Sequence, residues 1–422
     1  MKKLIILVAT MALSFSLLAQ KSAVTSAWSY LKDGFLDDAK KSIDKAEKHE
    51  ATKDWYKTFY YKGMVYQEIG ISDRPKYKSL CTNCLDISYE AYIKAIQLNF
   101  VDPEYKNLDL TTELGLMKFV GVLQKNDERN YENTEALIDM IGNRFPALSN
   151  AFINQGVTSF QDSDFETAYE NFEKAVMIST LSFQVDTQLY YYASLAAFRA
   201  EKFKDAIDYN DMLIQLNFGA NEDEKVAVYQ SQAIAYRETG DTVKMLEVLE
   251  KGIQAFPNAN YPLVIETFNY YVNIGENEKA FEYINLAIEK NENDAQFYVI
   301  RGTLLEEMKR KEEAKLDYLK AVELQPNNFD ANYSLGAFYY NTAVDTLDWA
   351  DKNIPINKFS ELDKYKQISD ELFKEAFPFL EKALELQAQN VNVLSTLKTI
   401  YYRLGEMEKY AEVDAKLKEL TQ

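Results

Sequence analysis

The fold of this chain is decided by YVNIGENEKAFEYINLAIEKN, Tyr271–Asn291, and by RGTLLEEMKRKEEAKLDYLKAVELQP, which begins at Arg301. The second stretch repeats the first, because Ala280 and Ala314 occupy the same place in the pattern and lie 34 residues apart. Each copy has a helical stretch, a turn at Gly or a polar residue, and a second helical stretch with small residues at fixed points. A repeat of this length indicates a solenoid, so the sequence predicts an all-α chain of stacked helical units.

The residue types at the recurring positions have a packing role. Small residues let helix backbones approach closely, while Tyr, Phe and Leu fill the space between neighbouring helices. Gly at the turn supplies the positive φ that ends a helix. Copies of the pattern occur at Tyr30, Gly34, Ala39 and Ala46, at Gly156, Phe165, Ala168, Phe172 and Ala175, and at Gly302, Ala314, Tyr318, Ala321 and Pro326.

These residues resemble the tetratricopeptide repeat, in which two antiparallel helices pack as one unit. The resemblance extends over nearly all of the chain that follows the N-terminal segment. It implies a right-handed α-solenoid superhelix of stacked antiparallel helix pairs, with the first helix of each pair on an inner, concave face. It also implies a non-enzymatic scaffold that binds a protein or peptide.

The N-terminal segment differs from the repeats. Lys2 and Lys3 precede an uncharged apolar run, Leu4–Leu18, and this layout predicts a secretory signal peptide over residues 1–19. An uncleaved N-terminal anchor is the alternative. Charges interrupt every later apolar run, so no other membrane-spanning segment is expected. We therefore expect an exported protein that is periplasmic, secreted or at the cell surface of a Gram-negative bacterium.

The repeats divide into residues 20–148, which are less regular, and residues 149–422, a clearer array. Two interruptions break the period. The first, over residues 71–86, contains Cys81 and Cys84, for which we predict a local disulfide, with free thiols or a catalytic pair as alternatives. The second, near residues 341–372, predicts an extended helical hairpin. Its Trp349 would either contact a partner or pack within the hairpin.

The composition is acidic, with 47 Lys and Arg against 66 Asp and Glu, a formal net charge of −19. Such a surface repels phosphate backbones, which argues against nucleic acid and favours a basic protein or peptide. The alternative is that the acidity only keeps the protein soluble. His49 is the one histidine, and no catalytic, phosphate-binding or metal-binding motif accompanies it, so we expect no enzyme activity and no cofactor.

The resemblance also implies which side chains line the concave groove. They mix Tyr with amides, and Tyr is a contact residue that interfaces favour. The alternative for each Tyr is packing between helices. The candidate groove residues are Tyr60, Tyr191, Gln230, Arg237, Asn269, Asn273, Gln296, Glu306, Tyr333, Tyr340 and Asn341.

Two functions fit these observations. The first is a cell-envelope scaffold that holds a protein or peptide partner in the groove. The alternative is a glycan-binding helical-repeat protein of the outer membrane or periplasm, since Tyr and Trp stack on sugars. The oligomeric state is left open.

Overall fold

A computed structural model describes residues 21–110, 112–125 and 127–421. The predicted signal peptide, residues 1–19, lies outside the described residues. Within the described ranges the chain is helical and has no β-strand, with one isolated antiparallel bridge between Phe100 and Tyr131. The helices follow one another as packed pairs, which confirms the all-α class built from helix pairs.

The first compact unit contains the described residues up to Gly219 and Ile234–Asp241. Its buried core runs without a break across the predicted boundary between residues 148 and 149, and that boundary stays a prediction. The helices of this unit are α1 (residues 21–32), α2 (Leu36–Glu47), α3 (Tyr56–Gly70), α4 (Pro75–Lys78), α5 (Cys84–Asn99), α6 (Pro103–Lys106), α7 (Glu113–Gln124), α8 (Thr134–Asp139), a π-helical turn (Met140–Arg144), α9 (Phe145–Gln161), α10 (Phe165–Leu181), α11 (Thr187–Arg199) and α12 (Phe203–Gln215).

The second compact unit contains Ala220–Ala233 and the described residues from Thr242 onward. The helix α13 (Glu222–Glu238) contributes residues to both units. The remaining helices of the second unit are α14 (Thr242–Ala255), α15 (Tyr261–Asn273), α16 (Asn277–Lys290), α17 (Ala295–Glu307), α18 (Lys311–Leu324), α19 (Phe329–Asn353), α20 (Phe359–Leu386), α21 (Val391–Leu404) and α22 (Met407–Thr421).

Within a pair, a glycine of one helix contacts a large side chain of the other. A Cβ atom on Gly302 in α17 would lie 2.6 Å from a ring carbon of Tyr318 in α18, a residue that is 1% exposed. The backbone of α17 therefore packs directly on the Tyr318 ring, at a distance that only glycine permits. The same contact recurs between Gly63 and Tyr92, Gly156 and Phe172, and Gly336 and Leu380.

The turn inside most of the pairs uses a left-handed residue, but that residue is not always glycine. Gly34, Gly275 and Gly405 have φ values of 76°, 73° and 77°. Lys309 occupies the equivalent turn between α17 and α18 with a φ of 64°. A side chain in this region costs about 1–2 kcal/mol, so this turn is strained where its neighbour at Gly275 is not.

The pair α19–α20 is longer than the others, with 25 and 28 residues in its helices. A turn containing Pro355 joins the two helices. Where they extend, buried Ser369 donates a hydrogen bond to the Ala343 carbonyl at 3.0 Å. Trp349 packs on Tyr365 with ring centroids 5.0 Å apart, while half of its surface stays exposed. Trp349 therefore makes the contact within the hairpin that was one of its two expected roles.

Gly302→Leu should lower the free energy of unfolding, because the new side chain has no space beside the Tyr318 ring; overpacking of this kind costs about 1–3 kcal/mol. Tyr318→Ala removes the ring, and the double variant should lose less than the sum of the two single losses. Urea unfolding of the four proteins measures this coupling. Gly121→Leu is the matched control, since a Cβ atom on Gly121 meets nothing within 4 Å. Additive losses would contradict the contact.

Lys309→Gly should raise the thermal midpoint. The substitution removes left-handed strain of about 1–2 kcal/mol and adds a smaller backbone-entropy cost of about 0.5–1 kcal/mol. Gly275→Lys should have the opposite effect for the same reason, because nothing lies within 4 Å of a Cβ atom there and φ alone opposes the change. Calorimetry of both variants measures their thermal midpoints, and two shifts of the same sign would contradict this prediction.

Candidate functional site

A cavity of about 410 Å³ opens on the first helices of three consecutive pairs in the second unit. The helices are α15, α17 and α19. The resemblance implied a binding face on the first helices, and that role stays a prediction. The lining residues are Phe268, Val272, Gln296, Val299, Ile300, Thr303, Leu304, Glu307, Asp330 and Ser334.

Helical periodicity explains how α17 faces both the cavity and its partner helix. Gln296, Ile300, Thr303 and Glu307 follow one another at spacings of three and four residues, so they form one stripe along the helix. Gly302 lies on the side that packs against α18. The stripe therefore lines the cavity while the rest of the helix holds the pair together, and Thr303 also accepts a hydrogen bond from the Tyr318 hydroxyl of α18 at 3.3 Å.

The floor of the cavity is apolar and its rim is polar. Phe268, Val299 and Leu304 are buried, with exposures of 7%, 6% and 4%. The ionisable residues of the lining are Glu307 and Asp330. Asp330 lies in the first turn of α19, where the helix dipole favours a negative charge. The site thus combines an apolar floor with a rim that carries negative charge.

A buried polar network holds α17 in place behind this surface. Arg301 donates from Nε and Nη2 to the two carboxylate oxygens of Asp317, each at 2.7 Å, and from Nη1 to Asn285 Oδ1 at 2.6 Å. Asp317 is buried and belongs to α18, whereas Asn285 belongs to α16. One guanidinium therefore ties three helices together, as its fixed fork of donors allows.

Glu306 belongs to this packing and not to the groove. Its carboxylate accepts a hydrogen bond from the Tyr318 hydroxyl at 2.7 Å. Burial raises the pKa of Tyr318, and the Glu306 charge raises it further. The phenol is therefore neutral at physiological pH and serves as a donor that stabilises the carboxylate.

The other candidate groove residues of the second unit take different places. Gln296 lines the cavity. Asn269, Asn273 and Asn341 are exposed beside or beyond it, and Gln230 is half-buried on α13. Tyr333 and Tyr340 are partly packed: Tyr333 stacks on Phe329 with ring centroids 5.7 Å apart, and Tyr340 contacts Phe373 at 5.6 Å. Their role in partner binding stays a prediction.

The candidate residues of the first unit are not gathered into one site. Tyr60 donates to Asp139 Oδ2 at 2.5 Å, and Tyr191 stacks on Phe218 with ring centroids 5.1 Å apart. Arg237 is exposed and donates to Glu238 at 3.2 Å. Both tyrosines therefore have packing or network contacts, which is the alternative that the sequence left open for each Tyr.

Three lining residues outside the predicted set lie one repeat period after residues that were predicted. Thr303 lies 34 residues after Asn269, Glu307 lies 34 after Asn273, and Asp330 lies 34 after Gln296. Moving the predicted positions Asn269, Asn273 and Gln296 forward by one period finds these three residues.

The Cys81–Cys84 pair lies at the start of α5, where Cys84 is the first helical residue. The two Cα atoms lie 5.7 Å apart and the sulfurs are joined as a disulfide, a separation within the usual range. The redox state of the pair in solution stays a prediction.

Two other kinds of site are absent from the described part of the chain. Among residues 21–110, 112–125 and 127–421, no cluster of three or more His, Cys, Asp or Glu side chains could hold a metal ion. Across the same ranges, no helix combines the length and the apolar character needed to span a bilayer.

Comparison with known proteins places the repeat in a family. Residues 295–328, which comprise α17, α18 and the residues leading into α19, match the tetratricopeptide repeat family. This stretch is a tetratricopeptide repeat, so the resemblance drawn from the sequence is confirmed.

Two curated proteins share part of the sequence. A UDP-N-acetylglucosamine–peptide N-acetylglucosaminyltransferase of Giardia intestinalis is 42% identical over 74 residues, which are 16% of this chain and 5% of the transferase. RNA polymerase II-associated protein 3 of Homo sapiens is 29% identical over 114 residues, 27% of this chain and 17% of that protein. The chain thus spans less than a fifth of either relative.

A similar solved structure is the C-terminal part of a tetratricopeptide repeat-containing protein from Cytophaga hutchinsonii. It is 14% identical and has a TM-score of 0.47, with 64% of this chain and 95% of that chain covered.

Proposed function

We propose that this chain is a non-enzymatic interaction scaffold whose second unit holds an extended, basic protein or peptide segment. The observation that carries the proposal is the cavity on α15, α17 and α19, where three first helices meet around an apolar floor and an acidic rim. Tetratricopeptide repeats are known as protein-interaction modules, and residues 295–328 are such a repeat.

The size of the cavity favours a peptide segment over a folded domain. About 410 Å³ lies near the lower end of ligand-sized pockets, so it accommodates one or two side chains of a ligand. The apolar floor provides a place for one large apolar side chain. Gln296 and Ser334 at the rim can pair with the backbone of an extended chain.

The charge of the rim favours a basic ligand. Glu307 and Asp330 carry negative charge and the lining has no Lys or Arg to balance it. The whole chain has the same sign, with a net charge of −19, which steers a basic partner toward the surface and repels nucleic acid.

The lining does not suggest catalysis. Thr303 and Ser334 are its hydroxyl groups, and a hydroxyl nucleophile needs a neighbouring base such as His. His49 is the one histidine of the chain and lies in the first unit, where it accepts a hydrogen bond from Ala51. The signal-peptide pattern of residues 1–19 supports the cell envelope as the compartment, with the partner among its proteins.

A peptide library tests this function. Twelve-residue peptides with a central apolar residue are prepared with Lys and Arg, with Asp and Glu, or with Ser and Gln on both sides of it. We expect the basic set to bind best. Thr303→Arg should abolish binding by filling the cavity with a like charge, and Glu307→Gln or Asp330→Asn should weaken it about two- to fivefold, as expected for exposed charge pairs worth up to about 1 kcal/mol.

Leu316→Arg is the matched control. It adds the same charge on α18, at a residue that is 65% exposed and outside the cavity lining. The Leu316→Arg variant should bind the basic peptides with the same affinity as the parent protein. Equal binding of all three peptide sets, or retention on a glycan array without any peptide binding, would contradict the proposal.

A further inference from the structure

The first unit contains a second cavity, of about 450 Å³, whose charge is opposite to that of the groove. It lies among α1, α3, the interruption that follows α3, and the π-helical turn before α9. Three cations and one acid are among its lining residues, which are Leu31, Lys32, Gly34, Leu36, Met64, Glu68, Ile71, Ser72, Arg74, Tyr77 and Arg144.

Arg144 reaches the cavity from an unusual backbone segment. Met140–Arg144 form a π-helical turn inside a longer helical stretch. Pro146 lies two residues after Arg144 and has no N–H to continue the regular hydrogen-bond ladder, which accounts for the local change in winding. The Arg144 carbonyl accepts a hydrogen bond from Gln67 Nε2 at 3.1 Å, so this backbone is also fixed to α3.

The Asp139 carboxylate fixes the side chain of Arg144 and is itself fixed by hydrogen bonds from other side chains. Arg144 Nε donates to Asp139 Oδ2 at 2.9 Å. Asp139 also accepts from the Tyr60 hydroxyl at 2.5 Å and from Asn143 Nδ2 at 2.9 Å. The guanidinium is therefore fixed before any ligand arrives, which is how a preorganised binding group is built.

Part of this fixed guanidinium is left for a ligand. Nη1 and Nη2 donate to none of the described residues, although the side chain is only 28% exposed. A planar pair of N–H donors matches the oxygens of a carboxylate or phosphate in a two-point contact. The unused edge of Arg144 is thus suited to an oxyanion.

Two further cations line the same cavity without a carboxylate partner among the described residues. Lys32 Nζ lies 4.4 Å from the centroid of the Trp28 ring, and the Arg74 guanidinium lies 5.9 Å from that of Tyr77. Tyr77 is buried and donates its hydroxyl to the Gly34 carbonyl at 2.7 Å, which anchors the interruption that carries Arg74. Aromatic contacts orient both cations while leaving their charge unneutralised.

The sequence around the cavity also has an excess of positive charge. Residues 21–85 contain 12 Lys and Arg against 9 Asp and Glu, whereas the whole chain has 47 against 66. Glu68 is the single acid of the lining. A local excess of positive charge in an acidic protein concentrates anions at this cavity.

We propose that this cavity is an oxyanion-binding site, in which Arg144, Lys32 and Arg74 hold a carboxylate or phosphate group. The site is separate from the peptide groove proposed for the second unit and takes ligands of the opposite charge. Its volume suits a small anion or one acidic side chain of a larger ligand.

Calorimetric titration of the full chain tests the site with three probes: inorganic phosphate, an acetylated and amidated tetraglutamate peptide, and the matching tetraglutamine peptide. We expect at least one anionic probe to bind and tetraglutamine not to bind. Binding of phosphate identifies a free anion as the source, and binding of tetraglutamate identifies an acidic side chain. Arg144→Gln should weaken binding at least tenfold, because a charge-assisted contact worth about 1.4 kcal/mol corresponds to a factor of ten.

A second variant keeps the test valid if Arg144→Gln does not fold. The double substitution Lys32→Gln with Arg74→Gln leaves the Asp139 network intact and should also weaken binding at least tenfold. Lys48→Gln removes an exposed lysine outside the lining and should leave the affinity unchanged. The proposal is wrong if neither anionic probe binds more tightly than tetraglutamine, or if the double variant binds them as the parent does.

Discussion

The close contact between a glycine of one helix and a large side chain of its partner is the constraint on which the rest of this structure depends. At Gly302 the backbone of α17 lies against the Tyr318 ring, and at Gly336 the backbone of α19 lies against Leu380. Such contact buries apolar surface at native packing density and fixes how each helix is turned about its axis. Because that rotation is fixed, one face of each first helix is directed away from its partner. The cavity on α15, α17 and α19 is built from those faces.

Periodicity made most of the fold predictable from the sequence. The 34-residue spacing of Ala280 and Ala314 predicted a solenoid of helical units, and the small residue at Gly302 predicted a packing position. The antiparallel arrangement of each pair was implied by the resemblance to the tetratricopeptide repeat. The binding face on the first helices stays a prediction, and Gln296, one of its candidate residues, lines the cavity. The roles of the tyrosine candidates could not be predicted, because a Tyr occupies the same position in the repeat whether it packs between helices or binds a partner. Tyr333 beside Phe329 is an example, since the packing role depends on a neighbour one turn away.

Features that depend on distant contacts were not predictable from one sequence. Arg144 receives its position from Asp139 and Tyr60, and Tyr60 lies 79 residues before Asp139. No periodic pattern relates these three residues, and the π-helical turn that presents Arg144 interrupts the pattern further. Lys309 illustrates the same limit at a turn, because a lysine gives no indication of the left-handed φ that the pair geometry imposes on it.

The two cavities differ in charge. One is built by regular copies of the repeat, whereas the other includes a segment that interrupts the repeat. In the second unit the regular copies present matched positions from three helices, with Glu307 and Asp330 at the rim. In the first unit the interruption after α3 contributes Arg74 and Tyr77 to the cavity wall, next to Lys32. Regular repeats thus supply the proposed peptide groove, and the break in the period supplies the basic cavity.

The most direct test of this account is hydrogen–deuterium exchange of the full chain, measured with and without a saturating basic peptide that has a central apolar residue. If first helices form the binding face while second helices serve packing, slowed exchange in the second unit should concentrate in α15, α17 and α19. Slowed exchange centred on α16 and α18, with the first helices unchanged, would contradict it.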